Sequence, residues 1–328
     1  MSPSPKTLIY SRVGDLEIKI DVYVPETTGE APIVLWYHGG GLTSGSRDDD
    51  LLPTWLLDAS LARRWIFVSA DYRLLVPCTG HDELDDIRAL SSFLSSDVFR
   101  AALPAGLTPS GATLVSGGSA GSYMALQYAL HASPKPKAVL NLFGMVDLLA
   151  PHQLLGRSGG IRFFGGFRAS FPGLDSLLAN ATPCAESAVR APSFTCADGR
   201  HHLTMHKTQN GLATDYLTGR PGFGRALAQL PTLDARVAAL DDRDRVLFPL
   251  IRAHELPPTI SVHGTEDSAV PLSDSEHLKK LLDEAGIKNE LIPVPGAEHG
   301  LLTIDLKAEA DGVPEAYARS LDFLESCL

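Results

Sequence analysis

The sequence predicts an α/β protein with a mostly parallel central sheet flanked by helices. Three observations carry that expectation. Short apolar, β-branched runs alternate with segments of helical periodicity from residue 32 to residue 143. Several of those runs end in glycine-rich or polar loops, as expected where strand carboxyl ends meet along one sheet edge. The chain has 328 residues, 44% of them hydrophobic, enough to bury a large core in one domain plus an insertion.

In chain order, residues 7–13 and 15–24 read as an antiparallel pair, the second with apolar positions alternating at Leu16, Ile18, Ile20, Val22 and Val24. Strands follow at 32–37, 65–71, 112–116 and 137–143, separated by helices over about 50–63, 82–97 and 120–131. The run Asp48-Asp49-Asp50 reads as the solvated start of the first of these helices, where the dipole favours negative charge. After Asp147 the rhythm stops for about a hundred residues rich in Gly, Pro and Phe, too long for a plain connection. Residues 148–252 therefore read as a lid inserted after the sixth strand, carried by a core of residues 1–147 and 253–328. Strands at 258–262 and 290–294 complete the sheet.

The segment Gly117-Gly118-Ser119-Ala120-Gly121 lies between a strand and a helix. A serine on so tight a turn needs flanking glycines, because strand and helix backbones approach closely there. The turn lifts Oγ above the sheet edge, where the start of the helix stabilises negative charge, which is a nucleophile's position. Downstream, the strand at 258–262 runs into His263-Gly-Thr-Glu-Asp267, and the strand at 290–294 runs into Pro295-Gly-Ala-Glu-His299. A hydroxyl, a carboxylate and an imidazole thus reach one edge in the order Ser, Asp, His. In that constellation His299 takes the proton of Ser119, and Asp267 fixes the imidazole tautomer and offsets its charge. Glu266 and Asp274 are rival acids, but Glu266 is expected to point to the other side of its loop and Asp274 to begin the following helix.

Upstream, the strand at 32–37 ends in His38-Gly39-Gly40-Gly41. Consecutive glycines expose amides that no side chain shields, and preorganised donors of this kind stabilise a tetrahedral oxyanion by roughly 3 to 4 kcal/mol for a single donor. Gly40 and Gly41 are the expected donors, with the amide of Ala120 completing the hole.

These motifs resemble those of α/β-hydrolases, and within that fold the hormone-sensitive-lipase-like carboxylesterases, whose marks are His-Gly-Gly-Gly, Asp-Tyr-Arg-Leu and Gly-x-Ser-Ala-Gly. Here they stand at His38 to Gly41, Asp71-Tyr72-Arg73-Leu74 and Gly117 to Gly121. The resemblance implies an α/β-hydrolase fold and hydrolysis of a small to medium acyl ester or lactone through an acyl-enzyme on Ser119. It also implies that no metal or organic cofactor is needed. Departures from the family pattern are Gly118 before the serine, Ser122 after the motif, and Leu75-Val-Pro-Cys-Thr-Gly following Asp71 to Leu74. The acid loop is more similar to those of dienelactone hydrolases and prolyl-oligopeptidase-like enzymes, which leaves the subfamily and the substrate open.

In the inserted segment, Phe163, Phe164, Phe167 and Phe171 recur at near-helical spacing. The stripe fits the packing core of the insertion, and it also fits a substrate pocket lined by Phe163 and Phe167, with Leu42 and Leu75 as the further lining candidates. His201, His202 and His206 lack an interposed Glu and a third ligand, so they read as a solvated or locally bonded cluster rather than a metal site.

A net charge of −11 and a pI near 5.4 speak against nucleic acid and anionic membrane surfaces as partners. The amino-terminal residues lack a signal-length apolar stretch, and no window reaches the length of a membrane span, so a cytoplasmic enzyme is expected. The expected partner is a small-molecule ester, and the oligomeric state, a homodimer included, is left open. Two alternatives share the motifs. One is a binding or receptor module on the same fold, as in the gibberellin receptors, but those lose the relay histidine that stands here as His299. The other is a tailoring hydrolase or acyltransferase of secondary metabolism, which would keep every one of these residues.

Overall fold

A computed structural model describes residues 4–191 and 193–328. Residues 1–3, part of the amino-terminal stretch in which a leader would stand, lie outside the described residues. Among the described residues, eight strands build one sheet: β1 (Lys6–Val13), β2 (Leu16–Tyr23), β3 (Gly29–Tyr37), β4 (Ile66–Ala70), β5 (Leu107–Gly118), β6 (Ala138–Leu142), β7 (Thr259–Gly264) and β8 (Asn289–Val294). Their spatial order is β1-β2-β4-β3-β5-β6-β7-β8. The β1–β2 and β2–β4 pairs are antiparallel and the rest parallel. Strands β4, β6 and β7 are buried at every position, as parallel strands covered on both faces must be.

Among the described residues, the covering helices are α1 (Thr54–Ala62), α2 (Gly80–Leu94), α3 (Asp97–Ala102), α4 (Ala120–His131), seven short helices between β6 and β7, then α12 (Ser273–Glu284) and α13 (Val313–Glu325). The seven are α5 (Pro151–Leu154), α6 (Leu174–Ala179), α7 (His201–Asn210), α8 (Ala213–Thr218), α9 (Phe223–Ala228), α10 (Leu233–Ala238) and α11 (Asp242–Arg245). One apolar layer joins α2, α4 and α12 to the sheet and extends into the segment between β6 and β7 through Ala213, Leu217, Leu227 and Leu247. The other face is covered by Leu56 and Leu57 of α1 and by Val313, Leu321 and Leu324 of α13. The α/β-hydrolase fold class expected from the sequence is the one found. Among the described residues, no helix is long and apolar enough to cross a membrane.

Pairing of Tyr37 with Gly117, Gly118 with Leu142, Leu142 with Val262, and Gly264 with Val294 brings the ends of β3, β5, β6, β7 and β8 level. The loops that follow those strands therefore open on one edge.

The acidic run is a correction. Helix α1 starts at Thr54, because Pro53 disfavours helical geometry at the residue before it and confines the helix to the residues after it. Asp49 is instead buried and accepts the amide of Val189 at 2.7 Å, while Asp48 and Asp50 each lie 3.1 Å from the guanidinium of Arg190. The run fastens the loop after β3 to the segment between β6 and β7.

Candidate active site

Two close approaches shape the turn after β5. A Cβ on Gly117 would collide with the carbonyl of Gly121, and a Cβ on Gly121 with the carbonyl of Tyr37. Ser119 sits at φ 54° and ψ −121°, a backbone conformation costly for any residue with a Cβ. Its amide donates to the Leu142 carbonyl at 2.9 Å, and its own carbonyl accepts the amides of Ser122 and Met145. The neighbouring strand thus holds the strained residue in place.

The loop after β7 carries Asp267 and the loop after β8 carries His299. His299 Nε2 lies 2.9 Å from Ser119 Oγ, and His299 Nδ1 lies 2.7 Å from Asp267 Oδ2. Asp267 Oδ1 accepts the amides of Ala269 and Val270 at 2.9 and 2.8 Å. Burial alone would raise the Asp267 carboxyl; His299 and the hydrogen bonds of both His299 and His263 outweigh it and hold the group well below the usual carboxylate range. An ionised carboxylate only accepts, so Nδ1 of His299 carries the proton and the Nε2 lone pair faces the Ser119 hydroxyl. That arrangement can take a proton from Oγ.

Glu266 lies 3.9 Å from the exposed Arg162. Asp274 accepts the amides of Val146 and Asp147 at 3.2 and 3.1 Å and lies 2.9 Å from His152. Neither rival acid is hydrogen-bonded to His299 among the described residues.

After β3, a Cβ on Gly39 would touch the carbonyl of Gly118 and lie 3.5 Å from Ser119 Cβ, so the glycine loop runs against the serine turn. Gly40 and Gly41 have φ of +88° and +64°. Among the described residues, no protein acceptor takes the amides of Gly40, Gly41 or Ala120. Open, shielded amides beside the serine are what an oxyanion hole requires. Tyr72 donates to the His38 carbonyl at 3.0 Å and stacks on the His38 ring at a centroid distance of 4.4 Å, which fixes the root of this loop.

Four groups escape a reading of the sequence alone. Glu298 Oε2 accepts the amides of Ser268 and His299 at 2.7 and 2.6 Å, and its Oε1 accepts the Ser268 hydroxyl at 2.5 Å. His263 Nε2 lies 2.8 Å from the Val270 carbonyl, which can only accept, and 3.3 Å from Asp267 Oδ2. Its Nδ1 accepts from Ser275 Oγ at 2.8 Å. Phe143 packs edge-on against His299 at 5.1 Å. Tyr72 had a signal, since it stands inside Asp71 to Leu74, and Glu298 adjoins His299; the other two had none.

The phenylalanine stripe is not helical. Arg162–Phe164 forms a single 3₁₀ turn and no helix continues through Phe167 or Phe171. Phe163 packs edge-on against His299 at 4.8 Å and lies 6.0 Å from Phe194, whereas Phe167 is 58% exposed. Leu42 and Leu75 are buried together, the Leu75 amide donating to the Leu42 carbonyl at 2.7 Å. Each histidine of the cluster in α7 has its own partner: His201 accepts the Cys196 amide, His202 donates to the Pro172 carbonyl, and His206 meets the Tyr216 hydroxyl.

Residues 20–154 match the BD-FAE family model. The chain is 26% identical over 310 residues to a probable carboxylesterase, M8, of a Phoma species, covering 90% of this chain and 88% of that one. It is also 24% identical to the non-reducing polyketide synthase ausA of Aspergillus calidoustus over 97% of its own length, but spans only 14% of that synthase. Among solved structures, an α/β-hydrolase superfamily protein from Enterococcus faecalis superposes with a TM-score of 0.65 at 18% identity, covering 99% of this chain and 100% of that one. Butyrate-bound esterase 2 of Thermogutta terrifontis superposes with a TM-score of 0.58 at 19% identity, covering 99% and 93%.

Proposed function

We propose that this α/β-hydrolase-fold chain is a serine hydrolase that cleaves carboxylic esters or lactones of small to medium acyl groups through an acyl-enzyme on Ser119. The observation that carries the reading is the unbroken hydrogen-bonded line from Ser119 Oγ through His299 to Asp267, set beside three open amides. In the first half-reaction Oγ attacks the acyl carbon as its proton passes to His299 Nε2, and the carbonyl oxygen becomes an oxyanion facing the amides of Gly40, Gly41 and Ala120. Collapse of that intermediate expels the alcohol, which takes the proton from Nε2. Water repeats the sequence on the acyl-enzyme, and Asp267 offsets the imidazolium charge in both halves. The rings of Phe143 and Phe163 beside His299 favour an apolar, flat group near the reacting bond. Residues 148–252 act as the lid that shapes this pocket, and the enzyme works in the cytosol on a diffusible substrate.

A second reading concerns the acyl donor. The likeness to polyketide synthases over nearly the whole chain favours an acyl group of polyketide type, released or passed to an alcohol within secondary metabolism.

The test is turnover of a p-nitrophenyl ester series by the wild type and by Ser119→Ala, with intact-mass analysis after a fluorophosphonate. The expected result is a single covalent adduct and hydrolysis, both lost in Ser119→Ala. Persistent turnover by folded Ser119→Ala would overturn the assignment, and ligand binding without turnover by the wild type would favour a receptor. Faster reaction of aryl thioesters with an added alcohol than with water would select the transferase reading.

A further inference from the structure

We propose that Thr204 and Lys207 of α7 are positioning residues for the oxyanion loop, so that the inserted segment is a working part of the reaction centre as well as its cover. This rests on the function proposed above. The carbonyl of Gly40 accepts the amides of Thr43 and Ser44 at 3.1 and 3.0 Å, the Ser44 hydroxyl at 3.0 Å and, from the insertion, Thr204 Oγ1 at 3.0 Å. That carbonyl belongs to the same planar peptide unit as the Gly41 amide, so every donor on the oxygen fixes and polarises the N–H on the other side. One residue on, Lys207 Nζ donates to the Gly41 carbonyl at 2.5 Å. A Cβ on Gly41 would meet Thr204 Cγ2 and lie 3.3 Å from Lys207 Nζ, so α7 lies directly against the loop. Gly40 and Gly41 have the widest backbone freedom of any residue type, and here side chains from a segment more than 160 residues away remove it.

Lys207 is 1% exposed, and its ammonium faces the Gly41 carbonyl and Met145 Sδ with no carboxylate in ion-pairing distance among the described residues. Fold stability alone would be better served by an apolar side chain of similar length, because a buried ammonium is costly to desolvate. Its position next to the amides gives the charge a use: a cation one peptide away from a forming oxyanion favours the transition state over the neutral ester. Burial pushes the Lys207 amine down to about 8, opposed by Glu83 of α2, whose own buried carboxyl is pushed well above the usual carboxylate range. Raising the pH through that value removes the positive charge.

The experiment compares Lys207→Met, Lys207→Arg and Thr204→Val with the wild type on a p-nitrophenyl ester across pH, with Ser119→Ala as the control for the reaction itself. Lys207→Met should lower kcat about 10- to 100-fold with little change in KM, since a single oxyanion donor is worth about that much or more. The wild type should lose kcat along an alkaline limb near pH 8 that Lys207→Arg moves upward and Lys207→Met abolishes. Should Lys207→Met fail to fold, Thr204→Val carries the test by the same split of kcat from KM. Folded Lys207→Met, or in its place Thr204→Val, with wild-type kcat and pH profile would overturn the proposal while inactive Ser119→Ala leaves the serine mechanism standing. Activity retained in Ser119→Ala would instead remove the reading on which it rests.

Discussion

Glu298 and Ser268 join the two loops that hold Asp267 and His299. The carboxyl group of Glu298 is fully buried and accepts the amide and the hydroxyl of Ser268 as well as the amide of His299. The fastening lies one residue from each functional side chain, so the 2.7 Å contact between Asp267 and His299 is set by a second, parallel connection between the same loops.

Removing that connection should loosen the site before it unfolds the protein. Glu298→Ala leaves three donors without an acceptor in a buried place, at a cost of about 1 to 3 kcal/mol each. Urea unfolding should show a clearly lowered midpoint, and kcat on p-nitrophenyl butyrate should fall more than KM rises. In Glu298→Gln the amide oxygen can take both N–H groups while the amide nitrogen faces the Ser268 hydroxyl, so most stability and activity should return. Equal damage by the two substitutions would mean that charge, and not loop fastening, is what Glu298 supplies.

Asp267→Asn should keep the fold and lower kcat by orders of magnitude, about 10⁴-fold by analogy with the same change in a serine protease. The cause is tautomeric, because an amide can donate to Nδ1 and turn the proton-bearing nitrogen towards Ser119. Asp274→Asn, which disturbs acceptors of the Val146 and Asp147 amides, should act on thermal stability instead. If Asp274→Asn were the more harmful to kcat in folded protein, the acid would be misassigned.

Two histidines lowered by burial, His38 and His131, are expected to contribute to acid sensitivity, and His38 is the more deeply buried. Burial pushes its imidazole down to about 4, partly offset by the bond to the Gly39 carbonyl. The unfolded chain, with an ordinary histidine near 6.5, then binds a proton that the folded chain does not. Stability must therefore fall as pH drops from about 6.5 to about 4, with a slope of about 1.4 kcal/mol per pH unit for one proton. Unfolding free energies measured across that window should be less steep in His38→Gln by about one proton; an unchanged slope would place the acid-sensitive group elsewhere.

Aromatic truncation should separate two rings that the sequence could not. Phe163→Ala removes the ring packed on His299 and should shift the acyl-length and aryl preference tens-fold or more, since one methylene of pocket contact is worth about 1 to 3 kcal/mol. Phe167→Ala, at a mostly exposed position, should leave the profile of p-nitrophenyl acetate, butyrate and octanoate nearly unchanged. The reverse ranking would show that substrate approaches along the exposed rim.

Motif glycines, strand periodicity and the order of Ser119, Asp267 and His299 made the fold class and the proposed reacting groups legible in the sequence, because each depends on a local demand: a turn with no room for Cβ, a strand buried on both faces, a loop leaving a strand end. What the sequence did not disclose was decided by contacts made across the fold. The 2.7 Å contact between His299 Nδ1 and Asp267 Oδ2 follows from where two loops converge. His263 and Phe143 stand beside that pair although nothing in their local pattern marks them, and Glu298 is marked only by adjoining His299. The docking of Thr204 and Lys207 onto Gly40 and Gly41 links segments more than 160 residues apart. The segment between β6 and β7 is the extreme case, because its described helices are short and Arg162–Phe164 closes a 3₁₀ turn where spacing suggested a helix. Periodicity reports on a segment that buries one continuous face, whereas a segment that meets its neighbours one residue at a time leaves no period to read.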